Sequence, residues 1–579
     1  MTRTSRLRAV AAIAAALIWA ISGCTVIPVT GPYAVKDQAG GGDPLSKPFQ
    51  RMIATRPQPT WSAEQTVRGL QAAMAAYADD PKVLPQYLTP EALRNWTPSG
   101  AVTVLDDQWT FDMGDYDGTE PVVTITLKAK LVGRIEEDDT YVPQSGGWER
   151  PFQLVKVEGG GYRVRSLPTD GLVLTRSDVD RAYRATKLYY LSSRTPDRLV
   201  VDNVRLRLKP TETYAKIVLE RLLKDPTAAL KGAATTSFPP GTKIESVRSG
   251  EDERVVITLS GSFDPLDLSL QHALMAQIRY SLNNNDVAKG RDIDVMVDGE
   301  LYTNYRPNSD QSWLDNGVNT AYYVSRGAVH VMTKEGPGRA VQGPAGQPRP
   351  GYSDFAMSKD GALIAAKTST GISVAGLTQE GQWQEVIQGA PADLTAPSWH
   401  RDGSLWAFDR KNKVVLRYDP ASGRGPERVS APELKGWDVT NLRIARDGVR
   451  VVVTTSKNAV QLGALTDVGG LKLGNVRVLA GIDSKDTIQD VAWRDDEHLL
   501  LLVSGKAGQT LNEIDIGDGE ITEIPLKDPL WSVAALNERV LAEAEGEKGK
   551  GHKVIELNPD QTWTAKIDSD AGGPLFPLG

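Results

Sequence analysis

The sequence predicts a multidomain chain: two α+β units in series, followed by an all-β C-terminal half of about six repeats. Three observations predict it. A Pro/Gly-rich stretch separates an apolar leader from the first periodic helix. Helical and strand periods then alternate twice between residues 60 and 305. From residue 313 onward one turn recurs every ~40–50 residues, each time ahead of an apolar run of strand length.

The 579 residues suggest three or four domains at roughly 150 residues each. Hydrophobic residues make up 40% and charged residues 24%, enough apolar material for ordinary cores. The net charge of −7 argues against the basic footprint of a nucleic-acid-binding chain. Cys24 is the only cysteine, so no intrachain disulfide forms.

Residues 1–23 read as a lipoprotein signal peptide. Arg3, Arg6 and Arg8 lead an apolar core from Ala9 to Ile21, too short for a ~20-residue membrane span. Ile21-Ser22-Gly23-Cys24 resembles a bacterial lipobox. That resemblance implies cleavage after Gly23, an S-diacylglycerol on Cys24 and an N-acyl group on its new amine. The thiolate suits this chemistry because it is a far better nucleophile than a hydroxyl. Two or more acyl chains make anchoring stable where one is marginal. Residues 24–59, with six prolines and Gly40-Gly41-Gly42, read as the lipidated cysteine and a disordered tether.

The first folded unit is read over 60–195. Ser62 and Gln65 form a capping box, and Val67, Leu70, Met74 and Tyr77 share one helical face. Pro81, Pro85 and Pro90 break the following stretch into short helices. Val123, Ile125, Leu127, Ala129 and Leu131 alternate with polar residues, giving a strand with one buried face. Phe152–Val157 and Tyr162–Leu167, joined at Gly159–Gly161, read as a hairpin. This order resembles the NTF2-like fold, whose cone either holds a ligand or is filled and serves as a spacer.

The second unit is read over 198–305. Leu199–Leu208 is a strand, and Thr213–Lys224 is a helix ended by Pro226. Lys243–Val247 and Val255–Leu259 are strands, Leu270, Leu274, Ile278 and Leu282 mark a long helix, and Ile293–Val297 closes on Asp298-Gly299. The run Phe238–Val247, the helix around Gln277-Ile278 and the final Val295–Gly299 together resemble the GerMN domain of spore-germination proteins.

The repeat occupies 310–579. Its turns are Asn316-Gly317, Asp360-Gly361, Asp402-Gly403, Asp447-Gly448, Asp496-Glu497 and Glu538-Arg539. Three residues before them stand Trp313, Met357, Trp399, Ile444, Trp493 and Ala535. A period of this length with several short strands per unit is the mark of a C-terminal β-propeller, here of about six blades. Asp-Gly suits a two-residue hairpin that needs positive φ, and the preceding large residue fills space between blades. A β-sandwich does not account for a repeated Trp at a fixed offset from a turn.

No catalytic, cofactor-binding or metal-binding residues are read. His272, His330, His400, His498 and His552 lack partners at metal-ligand spacing. His400 and His498 read as hairpin residues. Neither a phosphate-cradling Gly-Lys-Ser/Thr loop nor a nucleophile elbow occurs. Asp360, Asp402, Asp447 and Asp496 read as turn formers. Glu136–Asp139 and Glu543–Lys550 read as solvated loops.

Lipobox, tether, NTF2-like unit, GerMN unit and propeller, in that order, resemble the actinobacterial LpqB lipoprotein family over essentially the full chain. The resemblance implies a non-enzymatic regulatory or binding module, lipid-anchored on the extracytoplasmic face of the plasma membrane. It implies as partner the extracytoplasmic domain of an MtrB-like sensor kinase in the MtrAB two-component system, and a role in envelope homeostasis and division. Cys24 is the one functional residue it carries over. Two alternatives stay open. One is an envelope glycan- or lipid-binding protein, with Trp109, Trp148, Trp383 and Trp437 as stacking surfaces or core residues. The other is a propeller enzyme.

Overall fold

A computed structural model describes residues 33–36, 45 and 50–578, apart from 115–120, 169, 196–197, 210–211, 307–312, 315–319, 458, 482–484 and 547–550. Gly23, Cys24 and the signal peptide therefore lie outside the described residues, as do Asn316-Gly317 and the end of the Glu543–Lys550 block.

In the N-terminal unit, helix Ala63–Ala75 starts at the predicted capping box, with Ser62 and Gln65 each holding the other's backbone N–H. Its buried face, Val67, Leu70 and Met74, packs on a five-stranded sheet. The sheet order is Tyr162–Ser166, Tyr141–Lys156, Val122–Ile135, Val102–Asp112 and Val173–Thr175; only the last pairing is parallel. Val123, Ile125 and Leu127 are buried as their alternation requires. Lys156 pairs with Tyr162 across the Gly159–Gly161 turn.

Two expectations at the edges of this unit are corrected. The tether does not run to residue 59. Gln50–Ile53 pairs antiparallel with Tyr33–Lys36, Met52 is fully buried in the N-terminal core, and Tyr87 Oη donates to the Thr55 carbonyl at 2.6 Å. Leu45 is fully buried in the core of the second unit. Single apolar residues spaced among prolines show no period, yet each anchors where a core already has room. The other correction concerns residues 183–195. Strand Tyr183–Ser192 pairs with Leu199–Arg207 and Ala234–Thr235, so it belongs to the second unit.

That second unit has another sheet, ordered Lys243–Ser249, Val255–Ser260, Ile293–Val297 and Glu300–Tyr305, whose central pair is parallel. Parallel neighbours need a crossover, and helix Leu268–Asn283 supplies it. Its Leu274, Ile278 and Leu282 join Ile217, Val218 and Leu222 of helix Tyr214–Leu222 in one core.

The C-terminal half forms six four-stranded antiparallel sheets among the described residues, as expected for a propeller. Blades 2 to 6 are each continuous in sequence, with inner strands Ser353–Met357, Ser398–Trp399, Val439–Ile444, Thr487–Trp493 and Leu530–Leu536. Blade 1 is composite. Strands Ala321–Ser325, Ala328–Thr333 and Gly336–Ala340 receive Gly572–Leu575, from the end of the chain, as their inner strand. This clasp explains one difference from the sequence reading. The recurring turn joins inner to second strand in blades 2 to 6, and blade 1 has a chain break at that place. Trp313 is thus no blade residue: its carbonyl accepts from Leu199 N–H at 3.1 Å, and its ring packs beside Tyr189 and Leu191.

The turns of blades 2 to 5 follow one design. The Asp carboxylate accepts the N–H two residues on: Asp360 from Ala362, Asp402 from Ser404, Asp447 from Val449. In blade 5 Asp495 does this, toward Glu497, rather than the expected Asp496. The preceding aromatic residues stitch blades together. Trp399 Nε1 donates to Ala356 O at 3.0 Å and Trp493 Nε1 to Arg443 O at 3.1 Å, each reaching the inner strand of the blade before.

Candidate functional site

The two ends of the propeller are used differently. The turn end sits on the second unit. Asp402 binds Arg194 at 3.1 Å and Glu497 binds Lys187 at 2.8 Å. Asp447 holds its turn with one oxygen and Arg450 with the other at 2.7 Å, while Arg450 also donates to the Val201 carbonyl. Asp402 and Asp447 are therefore docking groups as well as turn formers. The N-terminal unit closes the same junction. Asp139 binds Arg221 at 3.0 Å and Asp138 accepts the Ala228 N–H at 2.7 Å. Those two members of the acidic block are interfacial rather than simply solvated. Burial pushes the Asp202 carboxyl upward at this junction, against the N–H and hydroxyl of Thr227, which bind its charged form.

The other end opens into the central channel, a recess of about 870 Å3. Its floor is closed by the C-terminal segment: Leu575 and Leu578 line it, and Leu578 N–H donates to Met357 O at 3.0 Å. The recess is thus blind, in the size range of small-ligand sites. Charged side chains on its wall come with partners. Lys367 binds Asp354 at 3.1 Å, Arg326 binds Asp570 at 2.9 Å, and Arg443 stands 3.8 Å from Asp490. Arg410, also on the wall, faces Asp438 at 3.6 Å. Asp490 accepts the Val533 N–H of the next blade at 3.0 Å; burial raises its carboxyl pKa, and Arg443 opposes that rise.

At the mouth, Trp531 is 61% exposed. His552 stacks against it with ring centroids 4.9 Å apart. His552 Nδ1 is bonded to Glu543, whose other oxygen accepts the Gly573 N–H at 2.8 Å and the Ser532 hydroxyl at 3.2 Å. The chain Glu543–His552–Trp531 fixes an exposed indole at the lip of a blind recess.

The residues singled out from sequence fall as follows. His400 and His498 do sit in hairpins, on Asp402 and Asp495 respectively. Among the described residues no His/Cys/Asp/Glu group is arranged to hold a metal. Trp148 is buried in the N-terminal core; Trp109, Trp383 and Trp437 are partly buried against cores. Trp531 and Asp490 were missed, and Glu543, read as the start of a solvated loop, instead lies in strand Arg539–Glu545 with its carboxylate bound to His552. Alternation gave no signal for Trp531: a bulge between Leu530 and Ser532 breaks the register of this inner strand and leaves the indole exposed although Val533 is buried.

Comparison with known proteins fits this architecture. Residues 56–180 match the model described as "Lipoprotein LpqB, N-terminal domain", 187–303 match "Sporulation and spore germination", and 329–577 match "Lipoprotein LpqB beta-propeller domain". The chain belongs to the LpqB lipoprotein family. It is 27% identical to Lipoprotein LpqB of Thermobifida fusca, over 86% of this chain and 88% of that one. It is 24% identical to Lipoprotein LpqB of Streptomyces avermitilis, over 96% of this chain and 97% of that one. Among solved structures, TolB from Acinetobacter baumannii aligns at 14% identity and a TM-score of 0.34, over 56% of this chain and 76% of that one. The LpqB relatives are named lipoproteins, and no helix among the described residues is long and apolar enough to cross a membrane.

Proposed function

We propose that this LpqB-family chain is a non-catalytic binding and regulatory module, lipid-anchored through Cys24 after cleavage behind Gly23. It stands on the extracytoplasmic face of the plasma membrane. Its partner is the extracytoplasmic domain of an MtrB-like sensor kinase, through which it modulates an MtrAB-type system and influences envelope homeostasis and division.

The observation that supports this most is the unequal use of the propeller's ends. The turn end is occupied by the second unit through Arg450, Arg194 and Lys187. The channel mouth, with Trp531 and Arg326 exposed, is left for a partner. Propeller loops offer a rigid, variable face for such contacts. Anchoring in the same membrane as the partner raises its effective concentration, so a weak contact suffices to bias signalling. No residue of the recess is assigned to a bond-making step.

The test is site-specific photo-crosslinking in intact cells from positions 326 and 531. The sensor kinase is the expected adduct, and kinase output should change when the mouth is altered. Absence of the kinase from the adducts at both positions, with output unchanged, would refute this role.

A further inference from the structure

We infer that the blind channel binds the end of an uncharged saccharide, with Trp531 as the stacking platform. The inference does not rest on the sensor-kinase reading: the recess would take such a ligand whatever partner meets its rim.

Charge decides the ligand class first. Asp354, Asp490, Glu543 and Asp570 each face a basic or imidazole side chain of the same wall. Arg410, the remaining basic side chain of the wall, has Asp438. A ligand that brought an ammonium, a phosphate or a carboxylate would add a charge that these pairs already balance, and would compete with them. A ligand rich in hydroxyl and amide groups would instead use the lone pairs and N–H groups that the pairs leave over. Planar groups such as carboxylates and guanidinium suit two neighbouring hydroxyls at once.

The backbone then separates a sugar from a peptide. An extended peptide enters a sheet by pairing with free N–H and C=O groups. Here side chains already occupy many of those on the inner strands. Ser398 Oγ takes the Ile444 N–H at 3.0 Å, and Gln509 takes both the N–H and the carbonyl of Leu530. Trp399 and Trp493 take the carbonyls of Ala356 and Arg443. What remains for recognition is side chains and one indole face. That face is held in place, because its other side is covered by His552, itself bound to Glu543. The apolar face of a pyranose or furanose ring fits a fixed, exposed indole, and fixing it beforehand lowers the ordering cost of binding.

The experiment uses the full chain in detergent micelles and saturation-transfer NMR. The probes are four neutral oligosaccharides (N-acetylglucosamine tetramer, mannotriose, cellotetraose and an arabinose tetramer), with trialanine as the peptide probe. At least one sugar should bind, and its affinity should change less than about twofold between ~50 and ~500 mM salt, since no net charge is exchanged. Trp531→Ala should weaken it about tenfold or more, with an unaltered melting temperature because the indole is exposed; Trp531→Phe should keep most of the binding. The inference is overturned if none of the four sugars binds at ~10 mM, if Trp531→Ala binds as well as the parent, or if trialanine binds in their place.

Discussion

Arg450, on the second strand of blade 4, places its guanidinium between the Asp447 carboxylate at 2.7 Å and the Val201 carbonyl of the second unit. Both Arg450 and Asp447 are buried. A turn carboxylate of the propeller thereby holds the residue that docks the propeller. Removing one member of a buried pair leaves the other charged and without compensation. Arg450→Ala should therefore destabilise the chain by about 3–5 kcal/mol, whereas replacing both residues by apolar ones of similar volume should cost much less. Urea denaturation of the single and double variants measures this; a single-variant loss under about 1 kcal/mol would contradict the assigned role.

Blade packing yields a second expectation. Trp399 is buried, and its indole N–H joins blade 3 to blade 2. Trp399→Ala should cost about 3–5 kcal/mol through the cavity it leaves. Trp399→Phe should cost less, about 1–3 kcal/mol, for the stranded Ala356 carbonyl and the lost ring volume. Thermal unfolding of the two variants against the parent gives the order, and equal losses would show that the ring volume contributes nothing beyond the hydrogen bond, which both variants lose.

These residues also mark how far the sequence could be read. The turn-and-Trp repeat was legible because one geometry recurs, so Asp360, Asp402 and Asp447 appear at nearly constant spacing. The closure was not, because Gly572–Leu575 carries no strand signal in its Gly-Gly-Pro sequence and finds its place only through Ala321–Ser325. Leu45 and Met52 were hidden among prolines for the same reason: burial by tertiary contact leaves no period. The channel pairs join residues on different strands or blades, as Arg443 with Asp490, so spacing along the chain says nothing about them. Among the recess residues Ile444 and Trp493 were legible through the repeat, whereas Trp531 was not, because a bulge breaks the alternation of its strand.

A third prediction concerns pH. The hydrogen bond that His498 Nδ1 donates to Asp495 raises the His498 pKa above its ordinary value, outweighing burial; the charges of Asp495, Asp515 and Glu513 act the same way. Burial pushes Asp495 up, but His498 and the turn N–H groups outweigh it and hold its carboxyl below the usual range. A raised histidine contributes stability that is fully present below pH ~6.5 and fades as pH rises through the folded value. A lowered aspartate contributes above pH ~4 and loses its contribution as pH falls through its folded value. The melting-temperature gap between parent and His498→Asn should therefore be widest near pH 5–6 and narrow toward pH 8. A gap that widens with rising pH would contradict the assignment.

The anchor gives a fourth. Cys24→Ala removes the nucleophile that takes the diacylglycerol, so labelled palmitate should no longer enter the protein. The chain should then appear unprocessed or released from the membrane fraction, because the apolar burial of its acyl chains is gone. Palmitate labelling equal to that of the parent would end the lipobox reading.

The clasp of blade 1 gives the last. Phe576 is fully buried among residues of blades 1 and 6, including Tyr323, Leu536 and Leu541, and directly follows the inner strand of blade 1. It holds the ring closed at the one place where the covalent chain does not, and the same segment floors the channel. Phe576→Ala should thus cost about 3–5 kcal/mol and make blade 1 the first to open. Hydrogen exchange should then show Ala321–Ser325 losing protection ahead of blades 3 and 4, since local opening begins where few contacts close the ring. Uniform loss of protection across all blades would mean that the clasp is no weaker than the other blade junctions.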